Sequence, residues 1–179
     1  MINHMPSSNN IEISIIIVMG VSGSGKTTVG IRLARRIGWD YIESDDYHSE
    51  QDVRKMSGGI PLTDEDRQPW LEKLHDLLIW FHEKNRPVVM ACSALKQNYR
   101  LQLVDGMEDA SVFIYLKGSY DLIWSRMQER MHFMQADMLQ SQFDALEEPT
   151  DGITIQIGQS PGEIVNEIMR RLDFVGKNH

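Results

Sequence analysis

A glycine-rich run between an apolar segment and a helix-like segment constrains the fold of this chain more than any other feature. The run is Gly20-Val21-Ser22-Gly23-Ser24-Gly25-Lys26-Thr27. The segment before it, Ile13–Met19, is short, apolar and largely β-branched, which is typical of a buried strand. After the run, Val29, Leu33 and Ile37 recur at helical spacing, and Gly38 can end the helix. The sequence therefore predicts a strand, a glycine loop and a helix in direct succession.

This order predicts a site for phosphate groups. Loop glycines let backbone N–H groups converge on an anion, and the N-terminus of the following helix adds a partial positive charge. The pattern G-x-x-x-x-G-K-[ST] in this setting indicates a nucleotide-binding loop in which Lys26 reaches the β- and γ-phosphates and Thr27 binds Mg²⁺. The other nucleotide contacts expected here are Gly20, Val21, Ser22, Gly23, Ser24, Gly25 and Thr28. A glycine-rich turn without a ligand is the alternative, and both flanking segments argue against it.

Length and composition favour one domain and exclude several classes of protein. A chain of 179 residues with 41% hydrophobic content can bury one core. Its net charge of −8 argues against a general binder of nucleic acid or of a membrane surface. The single cysteine, Cys92, excludes an internal disulfide framework. The longest apolar run, Ile15–Met19, is too short to cross a bilayer, and the chain does not open like a secretion signal, so we expect a cytoplasmic protein.

Segments with strand and helix character alternate along the rest of the chain. Further strands are predicted at Trp39–Glu43, Pro87–Cys92, Ser111–Leu116 and Ile153–Ile157. Further helices are predicted over Trp70–Phe81 with Pro69 in the first turn, over Leu95–Leu103, from about Ser119, and from Pro161. The alternation predicts an α/β fold with a parallel sheet covered by helices on both faces. We expect residues 1–10 to be a flexible N-terminus, residues 11–176 a single domain, and residues 177–179 a tail.

Two polar stretches are candidates for binding a second substrate. In the first, Asp45 and Asp46 follow a predicted strand, so we expect them at the same sheet edge as the glycine loop. A carboxylate there can accept a hydroxyl proton or hold a metal-bound water, although a solvated turn is the alternative. Residues 55–70 mix charge, glycine and proline, and they are predicted to be a loop that is either exposed or a binding surface.

The second polar stretch, Cys92–Arg100, leaves a predicted strand and enters a helix. Lys96 and Arg100 stand one helical turn apart, so both can face one site. A solvated helix face is the alternative. The stretch follows a strand of the same sheet as the glycine loop, which favours contact with a substrate.

A third pair of cations lies in the second half of the chain. Arg126 and Arg130 also stand at i, i+4 and precede the polar segment Met131–Asp137. This pattern suits arginines on a mobile cover over phosphates that are being transferred. A surface helix in which Glu129 is a local partner is the alternative.

Six runs of residues together resemble the gluconokinase family, within the P-loop kinases related to nucleoside monophosphate kinases. The runs are Met19–Thr27, Asp45–His48, Lys55–Leu71 (KMSGGIPLTDEDRQPWL), Cys92–Arg100 (CSALKQNYR), Phe113–Gly118 (FIYLKG) and Gln142–Pro149 (QFDALEEP). The glycine loop is shared by a large superfamily, whereas Lys55–Leu71 and Cys92–Arg100 are specific. The resemblance covers nearly the whole chain. It implies a P-loop fold with a five-stranded parallel sheet in the order 2-3-1-4-5, a small lid at about residues 130–138, and a homodimer.

The resemblance also implies an activity: transfer of the ATP γ-phosphoryl group to the 6-hydroxyl of D-gluconate, with Mg²⁺, which feeds the pentose phosphate pathway. Lys26, Asp45 and Arg130 are the expected catalytic residues, Thr27 and Asp46 the metal residues, and Arg126 and Gln159 the contacts beside adenine. The expected contacts with gluconate are Asp45, His48, Lys55, Asp66, Arg67, Ser93, Lys96, Arg100 and His132. Arg67 is the first choice for the carboxylate, because a guanidinium can bind it bidentately. Which of Asp45 and Asp46 accepts the proton stays open.

The sequence departs from the usual pattern of this family in three places. Ser44 stands where a glycine usually precedes the two aspartates, which bears on how closely the backbone approaches Asp45. The run Arg130–Phe133 is one residue shorter than the common lid run, and Gln135 replaces a frequent proline, so lid closure is expected to differ. A shikimate or nucleoside monophosphate kinase, or a nucleotide-binding module without turnover, are the alternative functions. The last would be favoured by loss of the loop's lysine and threonine or of the aspartate pair, and all of these are present.

Overall fold

Five parallel strands form the centre of the structure, a computed structural model that describes residues 13–129 and 136–172. The strands are β1 (Ile15–Met19), β2 (Asp40–Glu43), β3 (Val88–Ala91), β4 (Ser111–Lys117) and β5 (Ile153–Gln156). Their order in the sheet is β2-β3-β1-β4-β5, and every neighbouring pair is parallel. The predicted fold class and strand order are confirmed.

The register of the strands brings three strand ends to one level. Val18 of β1 pairs with Ala91 of β3, and Ala91 in turn pairs with Glu43 of β2. Because parallel strands end on the same edge, the segments that follow β1, β2 and β3 meet there. These segments are the glycine loop, the aspartate pair and the Cys92–Arg100 stretch.

Helices cover both faces of the sheet. They are α1 (Lys26–Ile37), α2 (Glu50–Ser57), α3 (Asp64–Glu83), α4 (Gln97–Val104), α5 (Tyr120–Glu129), α6 (Ala136–Ala145) and α7 (Pro161–Arg171), with short 3₁₀ turns at Ser44–Tyr47 and Glu108–Ala110. Alternate residues of β1 divide the core, because successive strand side chains point to opposite faces. Ile15, Ile17 and Met19 pack with α3 and α4, whereas Ile16 and Val18 pack with α1, α5, α6 and α7.

The helices differ in how their N-termini are satisfied. Helices α2, α3 and α7 each begin with a capping box, formed by Ser49 with Asp52, Thr63 with Asp66, and Ser160 with Glu163. The N-cap of α1 is instead Gly25, which lies at φ 100° and provides no side-chain cap, and the first turn of α1 holds no acidic residue. The first-turn N–H groups of α1 are therefore left for an external acceptor.

Two local predictions about the region after β2 are wrong. Helix α3 begins at Asp64, so Pro69 is its sixth residue rather than a first-turn residue. The apolar stripe that suggested the later start marks only the buried part of the helix, and the Thr63 capping box adds a polar turn before it. Residues 55–70 are likewise not one loop, because α2 ends at Ser57 and only residues 58–63 connect it to α3.

The predicted N-terminal segment 1–10, the tail 177–179 and most of the predicted lid lie outside the described residues. Within the described ranges, every helix is either too short or too polar to cross a membrane.

Candidate active site

The glycine loop adopts backbone conformations that require glycine. Gly20, Gly23 and Gly25 lie at φ 147°, 78° and 100°. A Cβ on Gly20 would lie 2.9 Å from the carbonyl oxygen of Leu116, and one on Gly23 would lie 2.8 Å from Cγ of Met127. The loop is therefore held against β4 and α5 in a shape that other residues could not adopt. It leads directly into the uncapped N-terminus of α1, which fits an anion such as the phosphates of a nucleotide.

The side chain of Lys26 folds back onto this loop. Its Nζ donates a hydrogen bond to the carbonyl oxygen of Val21 at 3.0 Å. Burial lowers the pKa of Lys26, while the negative charge of Asp45 acts in the opposite direction. The nearby thiol of Cys92 is fully buried, and burial raises its pKa to about 11. Lys26 is thus a partly buried cation that can exchange a carbonyl for phosphate oxygens.

Thr27 lies beside a carboxylate that sequence analysis did not identify. The hydroxyl of Thr27 and that of Tyr41 both donate to the same oxygen of Glu43, each at 2.7 Å. Burial and this carboxylate raise the pKa of Tyr41, so its hydroxyl stays protonated. Because the proton of Thr27 faces Glu43, the lone pairs of its oxygen remain available to a cation. The signal for Glu43 was its place as the last residue of a strand that ends level with the loop.

The site fits Mg²⁺ brought by a nucleotide better than a metal cage made by protein. Among residues 13–129 and 136–172, no group of three or more histidine, cysteine, aspartate or glutamate residues could hold a metal ion. Mg²⁺ usually binds through one or two protein oxygens together with waters and substrate phosphates. Thr27 with nearby carboxylates satisfies that description.

The aspartate pair lies where the sequence predicted it, on the 3₁₀ turn Ser44–Tyr47 directly after β2. Both side chains are exposed. The charge of Asp45 acts on the pKa of Lys26 and on that of His48, whereas the charge of Asp46 acts on the pKa of Tyr41. Asp45 therefore faces the loop lysine, and Asp46 lies toward the Thr27 and Glu43 side.

His48 is fixed under this turn. Its ring stacks on that of Trp70, with centroids 4.5 Å apart and planes 9° from parallel, and its side chain is only 4% exposed. The indole of Trp70 donates to the carbonyl oxygen of Ser44 at 2.9 Å, which fixes the turn from below. Nε2 of His48 lies 3.9 Å from Asp45, and Nδ1 is buried without a hydrogen-bond partner in the described part of the chain. Burial lowers the pKa of His48 below its usual 6.5.

Two of the predicted gluconate contacts are cations already paired with carboxylates. Lys55 of α2 bonds to Asp66 of α3 at 2.6 Å, and Lys96, the N-cap of α4, bonds to Asp64 of α3 at 2.7 Å. The hydroxyl of Tyr99 donates to the same aspartate as Lys96. These bonds lower the pKa of Asp64 and of Asp66. The cations thereby join three helices to one another.

Arg67 differs from these lysines. Within the described residues its guanidinium has no hydrogen bond and no ion pair, although it lies 5.8 Å from the ring centroid of Tyr99. It stands next to the two paired aspartates on α3 and is partly buried. An arginine with free donors is suited to a carboxylate from outside the protein.

Arg100 does not share a site with Lys96, contrary to the expectation from helical spacing. It is buried, and its guanidinium donates to the carbonyl oxygens of Ala94 and Leu95 at 3.0 and 3.1 Å. Ala94 lies at φ 43°, so these bonds stabilise a strained turn. Ser93, just before this turn, accepts a hydrogen bond from the backbone N–H of Gly20 at 3.4 Å. Arg100 therefore supports the turn beside the loop, and its guanidinium is bonded within the protein rather than open to a substrate.

The residues expected beside adenine lie at the end of β5. Arg126 donates to the carbonyl oxygen of Ile157 at 2.6 Å, and Gln159 donates to Glu167 of α7 at 2.8 Å. Both residues are thus near the loop that follows β5, and their contact with adenine stays a prediction. Arg130 and His132 lie outside the described residues.

Comparisons with known proteins agree with this geometry. The family described as "AAA domain" matches residues 15–149. A protein named "Probable gluconokinase" from Mus musculus is 43% identical, over 88% of this chain and 97% of its own length. The "Thermosensitive gluconokinase" of Escherichia coli K12 is 47% identical, over 74% of this chain and 71% of its own length. A crystal structure of a gluconokinase from Sinorhizobium meliloti 1021 is 40% identical, covers 92% of this chain and 94% of that chain, and has a TM-score of 0.83. Because relatives that are 40% or more identical cover most of its length, the chain belongs to the gluconokinase family.

Proposed function

We propose that this protein phosphorylates D-gluconate on its 6-hydroxyl, with ATP as the phosphoryl donor. The observation that carries the proposal is the meeting of three groups at one sheet edge. These are the uncapped start of α1, Lys26 on a backbone carbonyl, and Asp45, whose charge acts on that lysine. Membership of the gluconokinase family supports the same reaction.

On the nucleotide side, Lys26 leaves the carbonyl oxygen of Val21 and bonds to the β- and γ-phosphates. The backbone N–H groups of the loop and of the first turn of α1 surround the phosphates. Thr27 would hold Mg²⁺ through its oxygen lone pairs, with Asp46 and Glu43 as the nearby carboxylates. A bound Mg²⁺ would supply charge neutralisation for the phosphoryl group. Arg126 and Gln159 lie along the adenine.

On the acceptor side, Arg67 binds the carboxylate of gluconate with two parallel hydrogen bonds. Asp66, Lys55 and Lys96 help to hold α2, α3 and α4 together. They also offer peripheral polar contacts to the hydroxyl groups of gluconate. His48, beside Asp45, and Ser93, beside the glycine loop, are the remaining proposed contacts with gluconate. Arg130 and His132, which lie outside the described residues, are the proposed contacts from the lid.

Asp45 orients the 6-hydroxyl and accepts its proton. In a loose phosphoryl-transfer transition state the proton leaves late, so a carboxylate placed beside the hydroxyl is sufficient. Asp45 is favoured over Asp46 because its charge acts on Lys26, whereas that of Asp46 acts on Tyr41 on the metal side.

A coupled assay of ADP release tests the proposed reaction. The protein is supplied with Mg·ATP and with gluconate, shikimate or a set of nucleoside monophosphates, and turnover is expected with gluconate alone. Turnover with shikimate or a nucleotide but not with gluconate would assign the chain to another kinase of this fold. No turnover with any acceptor, together with measurable ATP binding, would favour a non-catalytic module.

A matched pair of variants tests which aspartate accepts the proton. Asp45→Asn is expected to lower kcat by about 10²–10⁴ with little change in ATP affinity. Asp46→Asn is expected to shift the Mg²⁺ dependence instead. The reverse pattern would exchange the two roles. The homodimer implied by the family resemblance and the cytoplasmic location expected from the sequence stay predictions.

A further inference from the structure

One residue of the run Gln142–Pro149 contacts the glycine loop directly and has no role in the reaction proposed above. Oε1 of Gln142, on α6, accepts a hydrogen bond from the backbone N–H of Ser22 at 2.6 Å. A backbone N–H requires an acceptor, so the oxygen arm of the amide is the one that faces the loop. The two residues are 120 positions apart in sequence. The bond therefore links a distant helix to the phosphate loop.

Packing of α6 against the core fixes the position of Gln142. Leu139, three residues earlier on the same face, is fully buried in the core, and the ring of Phe143 lies 5.5 Å from that of Tyr120 on α5. Gln142 thus lies on the packed face of α6 and is itself partly buried. A polar side chain in such a place needs a hydrogen-bond partner, and Ser22 provides it.

The contact acts on the half of the loop that positions Lys26. Ser22 follows Val21, whose carbonyl oxygen accepts the hydrogen bond from Nζ of Lys26. The next residue, Gly23, packs against Met127 of α5 so closely that it has no room for a Cβ. The first half of the loop is therefore held by α5 through packing and by α6 through Gln142.

We propose that Gln142 is a positioning residue for phosphoryl transfer, which fixes the Val21–Ser22 half of the loop and, through it, the place of Lys26. The proposal rests on the proposed kinase reaction. The second half of the loop and the start of α1, which provide most of the contacts with the nucleotide phosphates, do not depend on Gln142. Loss of the contact should therefore affect transfer more than nucleotide binding.

Three variants on α6 test this proposal. Gln142→Met keeps the length of the side chain and removes the acceptor. Gln142→Glu keeps an acceptor for Ser22 and adds a negative charge beside the phosphate loop. Gln140→Met is the matched control, since Gln140 is exposed on the same helix and its side chain bonds, among the residues that the structure describes, only to Asp144, at 2.8 Å.

For Gln142→Met we expect kcat with gluconate to fall by about 10-fold to 100-fold. The KM for ATP and the Kd for ADP should change by less than about threefold, and Tm should change little. Gln142→Glu should instead raise the KM for ATP, because its charge repels the phosphates, while retaining more of kcat than the methionine variant. Gln140→Met should behave like the parent.

Hydrogen exchange gives a readout that does not depend on turnover. The amide of Ser22 should exchange faster in Gln142→Met than in the parent, and it should stay protected in Gln142→Glu. Unchanged kcat and unchanged exchange in Gln142→Met would overturn the proposal, as would an equal loss in every kinetic constant together with a lowered Tm. If the parent itself did not turn over gluconate, the proposed function would fail, while the exchange of Ser22 would still decide whether Gln142 holds the loop.

Discussion

The nucleotide side and the acceptor side of the active site differ in how many of their polar groups are already paired within the protein. On the nucleotide side, α1 has neither a side-chain cap nor an acidic first turn, and Lys26 rests on a carbonyl oxygen. On the acceptor side, α2 and α3 have complete capping boxes, and Lys55 and Lys96 are bonded to aspartates of α3. Donors on the nucleotide side are left open, whereas most charges on the acceptor side are neutralised within the protein.

This difference indicates what each side recognises. A polyphosphate carries several negative charges, so its site gains from open backbone donors and a partly buried cation. A sugar acid carries one carboxylate and many hydroxyls, so one free guanidinium among paired charges is sufficient. Arg67 is such a group in the described part of the chain. Single substitutions on each side of the site test this contrast.

Removal of the loop lysine should affect the nucleotide side most. Lys26→Ala is expected to lower kcat/KM by about 10³-fold or more, because a charged donor is lost from both substrate binding and the transition state. The fold should remain intact, since Nζ bonds only to the carbonyl oxygen of Val21 within the described residues. The coupled assay and a thermal unfolding curve measure the two effects. Activity equal to that of the parent would remove the loop from the mechanism.

Arg67→Lys should affect only the acceptor side. A lysine keeps the charge but cannot bind a carboxylate with two parallel bonds, so the KM for gluconate is expected to rise by about 10-fold to 100-fold. The KM for ATP should not change. Arg54→Lys is the control, because Arg54 forms an exposed pair with Glu50 on α2. Steady-state kinetics with each substrate varied in turn would contradict the role of Arg67 if gluconate bound as tightly as before.

Lys96→Met tests whether a cation that is already paired with an aspartate contributes less to gluconate binding than Arg67 does. Lys96 is bonded to Asp64, so we expect its loss to change the KM for gluconate by less than about threefold and to lower Tm slightly. The measurements are the kinetics of the Arg67 experiment and a melting curve. A rise in KM as large as that of Arg67→Lys would mean that Lys96 exchanges its aspartate for gluconate, and the contrast between the two cations would fail.

The smallest effect concerns stability and pH. Burial lowers the pKa of His48 in the folded state, so below pH 6.5 the unfolded chain binds a proton that the folded protein does not. The stability that the neutral ring contributes is present above pH 6.5 and is lost as the pH falls from 6.5 through the folded pKa.

His48→Phe keeps a ring on Trp70 and removes this titration. Urea unfolding of the parent and the variant between pH 7.5 and 5.5 compares their slopes. The free energy of unfolding of the variant should fall less steeply as the pH decreases. The difference in slope should correspond to at most about one bound proton. Parallel curves would show that His48 does not contribute to the loss of stability in acid.

Much of the fold followed from local sequence patterns. The strand before the glycine loop and the helix after it have strong periodicity, and their order is fixed by the motif. The sequence also placed Asp45 and Asp46 correctly, because residues that follow parallel strands meet at one edge. The resemblance to gluconokinases provided the strand order, which periodicity alone does not give.

The partners of the charged side chains could not be predicted in this way. Helical spacing placed Lys96 and Arg100 together, but one is an N-cap bonded to Asp64 and the other is buried on two carbonyl oxygens. Glu43 and Gln142 were missed because their roles arise from contacts across the fold, at 2.7 and 2.6 Å. Such contacts depend on tertiary packing, which a pattern of residue types does not encode.

The burial of Cys92 has a practical consequence for measuring motion in this enzyme. Only the thiolate reacts with maleimides, and a thiol that is fully buried with a pKa of about 11 is almost entirely protonated and out of reach at pH 7. The chain has no other cysteine. A cysteine introduced at an exposed position such as Gln140 could therefore carry a single fluorophore or spin label, with the native thiol left in place.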